Sequence, residues 1–310
     1  MNIIKNRYLY FLISLLIIIP GVIFMIINWV NVGTPLPLGI DFTGGSLLEV
    51  QFTGTRPTAD QIQNAFNKFA PNSEAVIQPL DVDSYAIRSK TIDDATKGQI
   101  VAEFESLSGS PVNTLAFSSV SASVGAEVTR AAGFAILAAA VFILAYIWYA
   151  FRGVDHAFRY GTAAILAMLH DVFVVLGVEA ILAYFLSWEA DALFLTALLT
   201  VIGFSVHDTI VVFDRIRENS HVYRRVPYEP LVNHSIVQTL DRSINTQLTV
   251  MFTLFALVLF GGESIRHFVI ILLVGIFSGT YSSIFNASPI LVVWENQEWK
   301  NWFRRPATAQ

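Results

Sequence analysis

Two strongly apolar stretches of this chain each carry a histidine followed directly by an aspartate, His170-Asp171 and His207-Asp208. A carboxyl group in such a setting can take up and release a proton. Placing a charge inside a lipid-spanning helix costs about 2.5–3.5 kcal/mol on insertion scales, so such groups face a bundle interior or a water cavity. Asp171 lies about ten residues into its apolar run, which at 1.5 Å per residue puts it about 15 Å deep. Asp208 and Arg215 are seven residues apart, two turns along one helical face. Arg215 starts near an interface and can reach inward along its aliphatic stem. Either Arg215 or Arg217 is therefore expected to stabilise ionised Asp171, with Arg215 slightly favoured. Glu179, two turns beyond Asp171, is expected in a wet vestibule. The competing reading of His170, Asp171, His207 and Asp208 is that of structural polar residues satisfied by neighbouring helices, or less readily a metal-binding set.

The elements that must hold these groups are apolar helices. Apolar residues make up 54 % of the chain and charged residues 14 %, with a mean hydropathy of +0.57. Soluble domains carry about 25 % charged residues, so much of this surface is expected to meet lipid. Runs long enough to cross about 30 Å of hydrocarbon lie at 8–30, 131–151, 161–184, 192–213 and 267–294. A further run near 245–261 is short and begins with the polar Asn245, Thr246 and Gln247, which makes it the least secure of six. The first run is longer than the apolar core of about 7–15 residues in a secretory signal, and it ends in the interfacial pair Asn28-Trp29. It is expected to be a retained helix.

Basic residues set the orientation. Lys5 and Arg7 precede the first run, and Arg152 and Arg159 lie in loop 152–160. Loop 214–244 holds Arg215, Arg217, Arg224, Arg225 and Arg242, and the tail holds Lys300, Arg304 and Arg305. Loop 185–191 has no basic residue and loop 262–266 only Arg266. This alternation predicts a cytoplasmic N-terminus with a first helix over 1–30, an extracytoplasmic domain over 31–130, helices two to six over 131–294, and a cytoplasmic tail over 295–310. The basic loop after the fourth helix is either an amphipathic segment on anionic lipid or simply the orientation signal.

Segment 31–130 carries the whole net charge of the chain, −5. An acidic domain argues against a nucleic-acid partner. Its pattern predicts strands at 47–53, 75–80, 85–89 and 113–120, helices at 58–69 and 93–107, and a turn at 81–84. That βαββαβ order is that of a ferredoxin-like sandwich. The fold class is thus a membrane all-α six-helix bundle with an inserted α+β ferredoxin-like extracytoplasmic domain. The chain has no cysteine, which excludes disulfides and Cys-based chemistry. It also lacks a nucleophile triad on a shared element and a phosphate-binding glycine loop, so an enzyme is not expected.

Glycines mark two further features. Gly39, Gly44 and Gly45 bracket Asp41 and Phe42 between the first helix and the first strand, and predict a tight seam between helix and domain. Gly275, Gly279 and Ser283 recur every four residues on the last helix. Such a stripe lets helices approach closely.

At these residues the chain resembles the SecD/SecF family of bacterial protein-export subunits. The segment Gly39-Ile40-Asp41-Phe42-Thr43-Gly44-Gly45 looks like the family's shared signature, and Val124-Gly125-Ala126-Glu127 is similar to its membrane re-entry motif. Leu169-His170-Asp171-Val172 resembles its third-helix motif. The run from Gly203 to Asn219, ending Asp214-Arg215-Ile216-Arg217-Glu218-Asn219, resembles the signature of the SecF branch. Phe260-Gly261-Gly262 and Gly279-Thr280-Tyr281-Ser282-Ser283-Ile284 also match. Two positions depart: His207 stands where the family commonly has Asn, and Asn286 where an apolar residue is usual.

The resemblance implies a bacterial inner-membrane subunit that pairs with SecD in a twelve-helix unit like that of the RND (resistance–nodulation–division) transporters. It implies action beside a SecY-type channel, with YajC and YidC as further candidate partners and unfolded secretory polypeptides as clients. It implies protons as the coupling ion and no organic or metal cofactor, with Asp171 as the proton carrier. Two alternatives remain at this point: an RND-like exporter of lipids or drugs, and a purely structural stabiliser of SecD.

Overall fold

The computed structural model describes residues 2–71, 73, 75–80, 82–153 and 157–300. Position 81 of the expected turn, and the tail residues Arg304 and Arg305, lie outside the described residues. The chain divides into two compact units, 38–134 and the remainder.

Among the described residues, six helices are long and apolar enough to cross a membrane: Ile4–Val32, Ala122–Phe151, Ala157–Leu186, Ala192–Val222, Tyr228–Phe260 and Ile265–Glu295. Their α-helical parts are α1 (Arg7–Val32), α5 (Ala122–Phe151), α6 (Ala157–Leu186), α7 (Ala192–Val222), α8 (Tyr228–Phe260), α9 (Glu263–Ser282) and α10 (Ser288–Glu295). The run expected to be least secure is α8, a full span of 33 residues that begins at Tyr228. Its polar start lies mid-helix because Ser235, Thr239, Ser243 and Gln247 turn into the bundle and are buried. The expected loop 214–244 is correspondingly wrong: α7 runs on to Val222, so Arg215 and Arg217 are helical and only residues 223–227 connect α7 to α8.

Burial separates centre from rim. The spans ending at Leu186, Val222 and Glu295 are 44 %, 50 % and 56 % buried, against 11 % to 17 % for the other three. The three central helices therefore make the interior in which a polar group can escape lipid. Small residues let them close. On α1 and α6, Gly21 and Gly177 meet backbone to backbone; a Cβ on Gly177 would lie 2.8 Å from the Cα of Gly21. Gly275 meets Val201, and a Cβ on Gly279 would lie 3.3 Å from the Cα of Ser205. The stripe on the last helix thus seats α9 on α7. Between α9 and α10, Ser283–Ala287 form a π-helical turn. There Asn286 Nδ2 donates to Ser14 Oγ of α1 at 2.8 Å, an interhelical bond that accounts for a polar residue at this position.

The second unit holds the short helix α2 (Ile40–Thr43), β1 (Gly45–Phe52), α3 (Ala59–Phe69), β2 (Val76–Pro79), β3 (Ser84–Ser89), α4 (Asp94–Ser108) and β4 (Val112–Val120). The four strands form one antiparallel sheet in the order β2-β3-β1-β4. Alternate residues of β1, Leu48, Val50 and Phe52, pack against Ile62 and Phe66 of α3 and Ile100 and Phe104 of α4. On the other face, burial raises the pKa of Glu49 against the pull of Arg88, and burial lowers that of Arg88 to about 10.

The two longer helices of the sheet unit, α3 and α4, carry side-chain caps. Thr58 and Gln61 form a reciprocal capping box at α3. Asp93 accepts from the Thr96 backbone N–H at 2.9 Å at α4, and its bonds to Thr96 hold its carboxyl below the ordinary value. A lowered folded pKa adds stability above the unfolded value of about 3.9 and loses it as pH falls below that. Asp93→Ala is therefore expected to weaken hydrogen-exchange protection at the Thr96 amide at neutral pH. The gap to wild type should close toward pH about 3. A gap that stays constant with pH would show that the cap's charge contributes nothing.

The signature turn belongs to this unit. Gly44 and Gly45 have φ of +73° and +125°. A Cβ on Gly44 would lie 2.7 Å from the Cα of Ala122, and one on Gly125 would lie 2.7 Å from the backbone N of Gly44. Thr129 Oγ1 donates to the carbonyl of Phe42 at 3.0 Å. Gly39 caps α2, its carbonyl accepting from the Phe42 and Thr43 N–H groups at 3.1 Å, and Asp41 lies in α2. Within this unit the close approach is thus to the first turns of α5, at the re-entry motif.

Candidate functional site: a buried carboxylate held by hydroxyl groups

Asp171 stands midway along α6 and is 1 % exposed. Its neighbours come from the two other central elements. Ser205 of α7 donates to Oδ2 at 2.5 Å. Ser282 of α9 donates to the same oxygen at 2.6 Å, and Ser278 of α9 donates to Oδ1 at 2.6 Å. His170 Nδ1 lies 3.0 Å from Oδ1, and its ring stacks on Tyr281.

This shell has a specific chemical property. Each hydroxyl is both donor and acceptor and rotates to suit. Three hydroxyls can donate to an ionised carboxylate, and one can turn to accept when the acid is protonated. An arginine has only donors and would favour the ionised form alone. The site is therefore built to carry either protonation state without rearranging its helices.

The expected arginine partner is not there. Arg215 pairs with Glu218 at 2.8 Å, one turn on. Arg217 pairs with Asp214 and donates to the carbonyl of Ala150 at 3.1 Å. Both stand near the far end of α7, too many turns past Ser205 to reach Asp171. Nor do Asp208 and Arg215 pair across two turns. Asp208 is 3 % exposed and accepts from Gln247 Nε2 of α8 at 2.7 Å. His207 points out of the bundle, exposed, while its neighbour points in. The structure thus brings together Asp171 and His170 and leaves Asp208, His207, Arg215 and Arg217 apart from them.

Glu179 does not sit in a wet vestibule. It is fully buried, with Oε2 2.8 Å from His267 Nε2 of α9.

Sequence reasoning missed Ser205, Ser278 and Ser282. A signal was present: Ser278 and Ser282 are four residues apart on the last helix. They form a second stripe, one residue removed from the glycine stripe that packs α9 on α7.

Fold and site together define a polytopic membrane protein organised around a buried carboxyl group that hydroxyls of two neighbouring helices hold in its helical core. A family model described as "Protein export membrane protein SecD/SecF, C-terminal" matches residues 100–297, and one described as "SecD/SecF GG Motif" matches residues 32–55. The chain belongs to the SecD/SecF family. It is 52 % identical to the "Protein translocase subunit SecF" of Anaerolinea thermophila over 100 % of both chains. It is 36 % identical to the "Protein translocase subunit SecDF" of Thermus thermophilus over 83 % of this chain and 34 % of that one. The crystal structure of SecDF, a translocon-associated membrane protein from Thermus thermophilus, superposes with a TM-score of 0.76 at 31 % identity. That match covers 96 % of this chain and 39 % of the other, so the chain spans well under half of that protein.

Proposed function

We propose that this chain is the SecF-type half of a SecD–SecF pair that draws on the proton motive force to promote outward movement of secretory polypeptides through a SecY-type channel. The observation that carries the reading is Asp171, buried among three serine hydroxyls on two neighbouring helices. A proton-coupled device needs a group that titrates within the membrane without breaking its surroundings. Moving one elementary charge through the membrane potential yields about 2.3 kcal/mol per 100 mV. A few kcal/mol shifts a two-state population tens-fold. Pairing with SecD is supported by the relatives in which both halves are one chain, the SecDF proteins of Bacillus subtilis and Thermus thermophilus.

The finer features follow the same reading. The β-α-β-β-α-β order and the sheet order β2-β3-β1-β4 support a ferredoxin-like sandwich for the inserted unit. Both termini are cytoplasmic and that unit is extracytoplasmic, in the bacterial inner membrane, on the basic-residue pattern. The six helices are one half of a twelve-helix RND-like assembly. YajC and YidC are candidate neighbours. No cofactor beyond protons is required, and the role is not enzymatic. Anionic lipid is proposed at the arginine-rich end. A cleft of about 580 Å³ there is lined by Arg159, Arg217, His221 and Arg224, among others.

Co-purification and energy dependence test the proposal together. Tagged chain in mild detergent should retain SecD and channel subunits, with anionic phospholipid in the same preparation. Export stimulated by the reconstituted complex should stop when a protonophore dissipates the gradient. A chain recovered only with copies of itself, transporting small molecules, would favour the exporter reading. Stimulation indifferent to the protonophore would leave only a stabilising role.

A further inference from the structure

Asp171 is not the only buried acid on α6. Glu179 is 0 % exposed, and its partner His267 stands on α9, the helix that also supplies Ser278 and Ser282. The same two helices therefore carry two proton-binding groups, about 12 Å apart at eight residues of helical rise. Between them the packing is apolar, with Val174, Val175, Val201, Ile271 and Ile276 all buried.

The two ends of the Glu179–His267 pair differ. The side chain of His267 retains 19 % of its surface, while that of Glu179 has none. His267 lies against Trp188, with ring centroids 4.5 Å apart, and stacks on Phe194. Trp188 belongs to the connection between α6 and α7. That connection also bonds to the segment leaving α1, through the Ala190 N–H and the Pro37 carbonyl at 2.9 Å. The pair therefore lies at the end of the bundle where the chain departs for the inserted unit. Glu179 Oε1 has no hydrogen-bond partner among the described residues. A fully buried carboxylate with one oxygen unmatched is costly when ionised. One added proton makes the pair neutral as a whole.

The other charged residues at this end are Glu189 and Asp191 on the connection and Glu263 and Arg266 on α9, Glu263 one turn before His267 in sequence. Asp191 is engaged as the cap of α7, accepting from the Phe194 N–H at 2.7 Å. The adjoining ends of α1 and α8, residues 26–32 and 252–260, contain no ionisable side chain.

We propose that Glu179 and His267 form a second protonation site, which loads from the side of the inserted unit and precedes Asp171 on the inward path. The imidazole edge under Trp188 admits the proton. The carboxylate shares it in the dry interior. The apolar layer separates loading from the step at Asp171, so that the two sites need not be open to water at once. The inference rests on the proton-coupled reading given above.

The test is the dependence of export stimulation on external pH, measured on the complex with its SecD partner. Wild type should vary with external pH. His267→Gln should lose that dependence, and Glu179→Gln should lose most of the stimulation. A His267→Gln profile superimposable on wild type overturns the proposal, even if the variant accumulates less. Asp171→Asn serves as the separate control. Full stimulation in that variant would sink the proton-coupled reading itself, whereas its loss beside a normal His267→Gln profile sinks only the second site. Should neither pair variant accumulate, infrared difference spectra of the Asp171→Asn complex decide. A buried-carboxyl C=O band that rises on external acidification is expected, and its absence overturns the assignment.

Discussion

Asp171→Asn should leave the chain folded and paired with its partner yet reduce export stimulation to the level seen without the subunit. Asparagine has the shape of the protonated acid, and its amide offers one acceptor and two donors. Ser205, Ser278 and Ser282 can rotate to meet it, so the helix contacts survive. What disappears is the ability to change charge. Asp171→Ala is expected to behave differently. It leaves three hydroxyls without the acceptor they now share. An unmatched buried polar group costs about 1–3 kcal/mol. That variant should accumulate poorly and melt early, whereas Asp171→Asn should not. Measuring protein level and export together separates the two effects. Equal export by Asp171→Asn and wild type at equal protein level would remove the proton role from this residue.

The second large effect is expected at Gly177→Leu. A Cβ there would lie 2.8 Å from the Cα of Gly21, so the obstacle is backbone and not a movable side chain. Inserting methylenes into a packed core costs about 1–3 kcal/mol where side chains can adjust. Here helix α1 itself must move away from α6, and the cost should lie at or above the top of that range. Purified chain should lose several degrees of thermal stability at Gly177→Ala and fail to accumulate at Gly177→Leu. Gly203→Ala is the control. A Cβ at position 203 meets nothing within 4 Å, and alanine is the better helix former by about 1 kcal/mol. If Gly177→Ala were as well tolerated as Gly203→Ala, the α1–α6 approach would be looser than the structure has it.

Much of this architecture was legible as amino-acid order, for identifiable reasons. Five of the six spans are long apolar runs, and lipid permits few alternatives for such runs. The sheet unit was legible strand by strand because one face alternates apolar residues, as Leu48, Val50 and Phe52 do. Its helix starts were marked by Thr58 and Asp93, both good N-caps. The sixth span was obscured because Ser243 and Gln247 are polar for the interior's sake, and a hydropathy average cannot tell inward polarity from a helix end. The carboxyl site was half legible. Asp171 stands out in an apolar run, but its partners are ordinary serines on two other helices. No spacing within α6 points to them. The arginine partner was inferred from helical phase alone. Phase says which face two residues share, not whether the neighbour on that face is nearer than an acid one turn away, as Glu218 is to Arg215 and Asp214 is to Arg217. His267 was overlooked because it opens the last apolar run directly after Arg266, where a histidine looks like surface.

The π turn at Ser283–Ala287 has a mechanical corollary. It winds one residue more than the regular spiral needs, and that surplus can migrate. Were it to slip one turn toward Ser278, the stretch it crossed would swivel by about 100°, the angle of a single residue. Ser282 would leave Asp171 and the local bonding would pass from three hydroxyls to two, with no helix sliding and no span unravelling. A torsional register of this kind would link the hydroxyl set around Asp171 to the twist of the short stretch between Ser278 and Ser283, at the opposite end of α9 from His267.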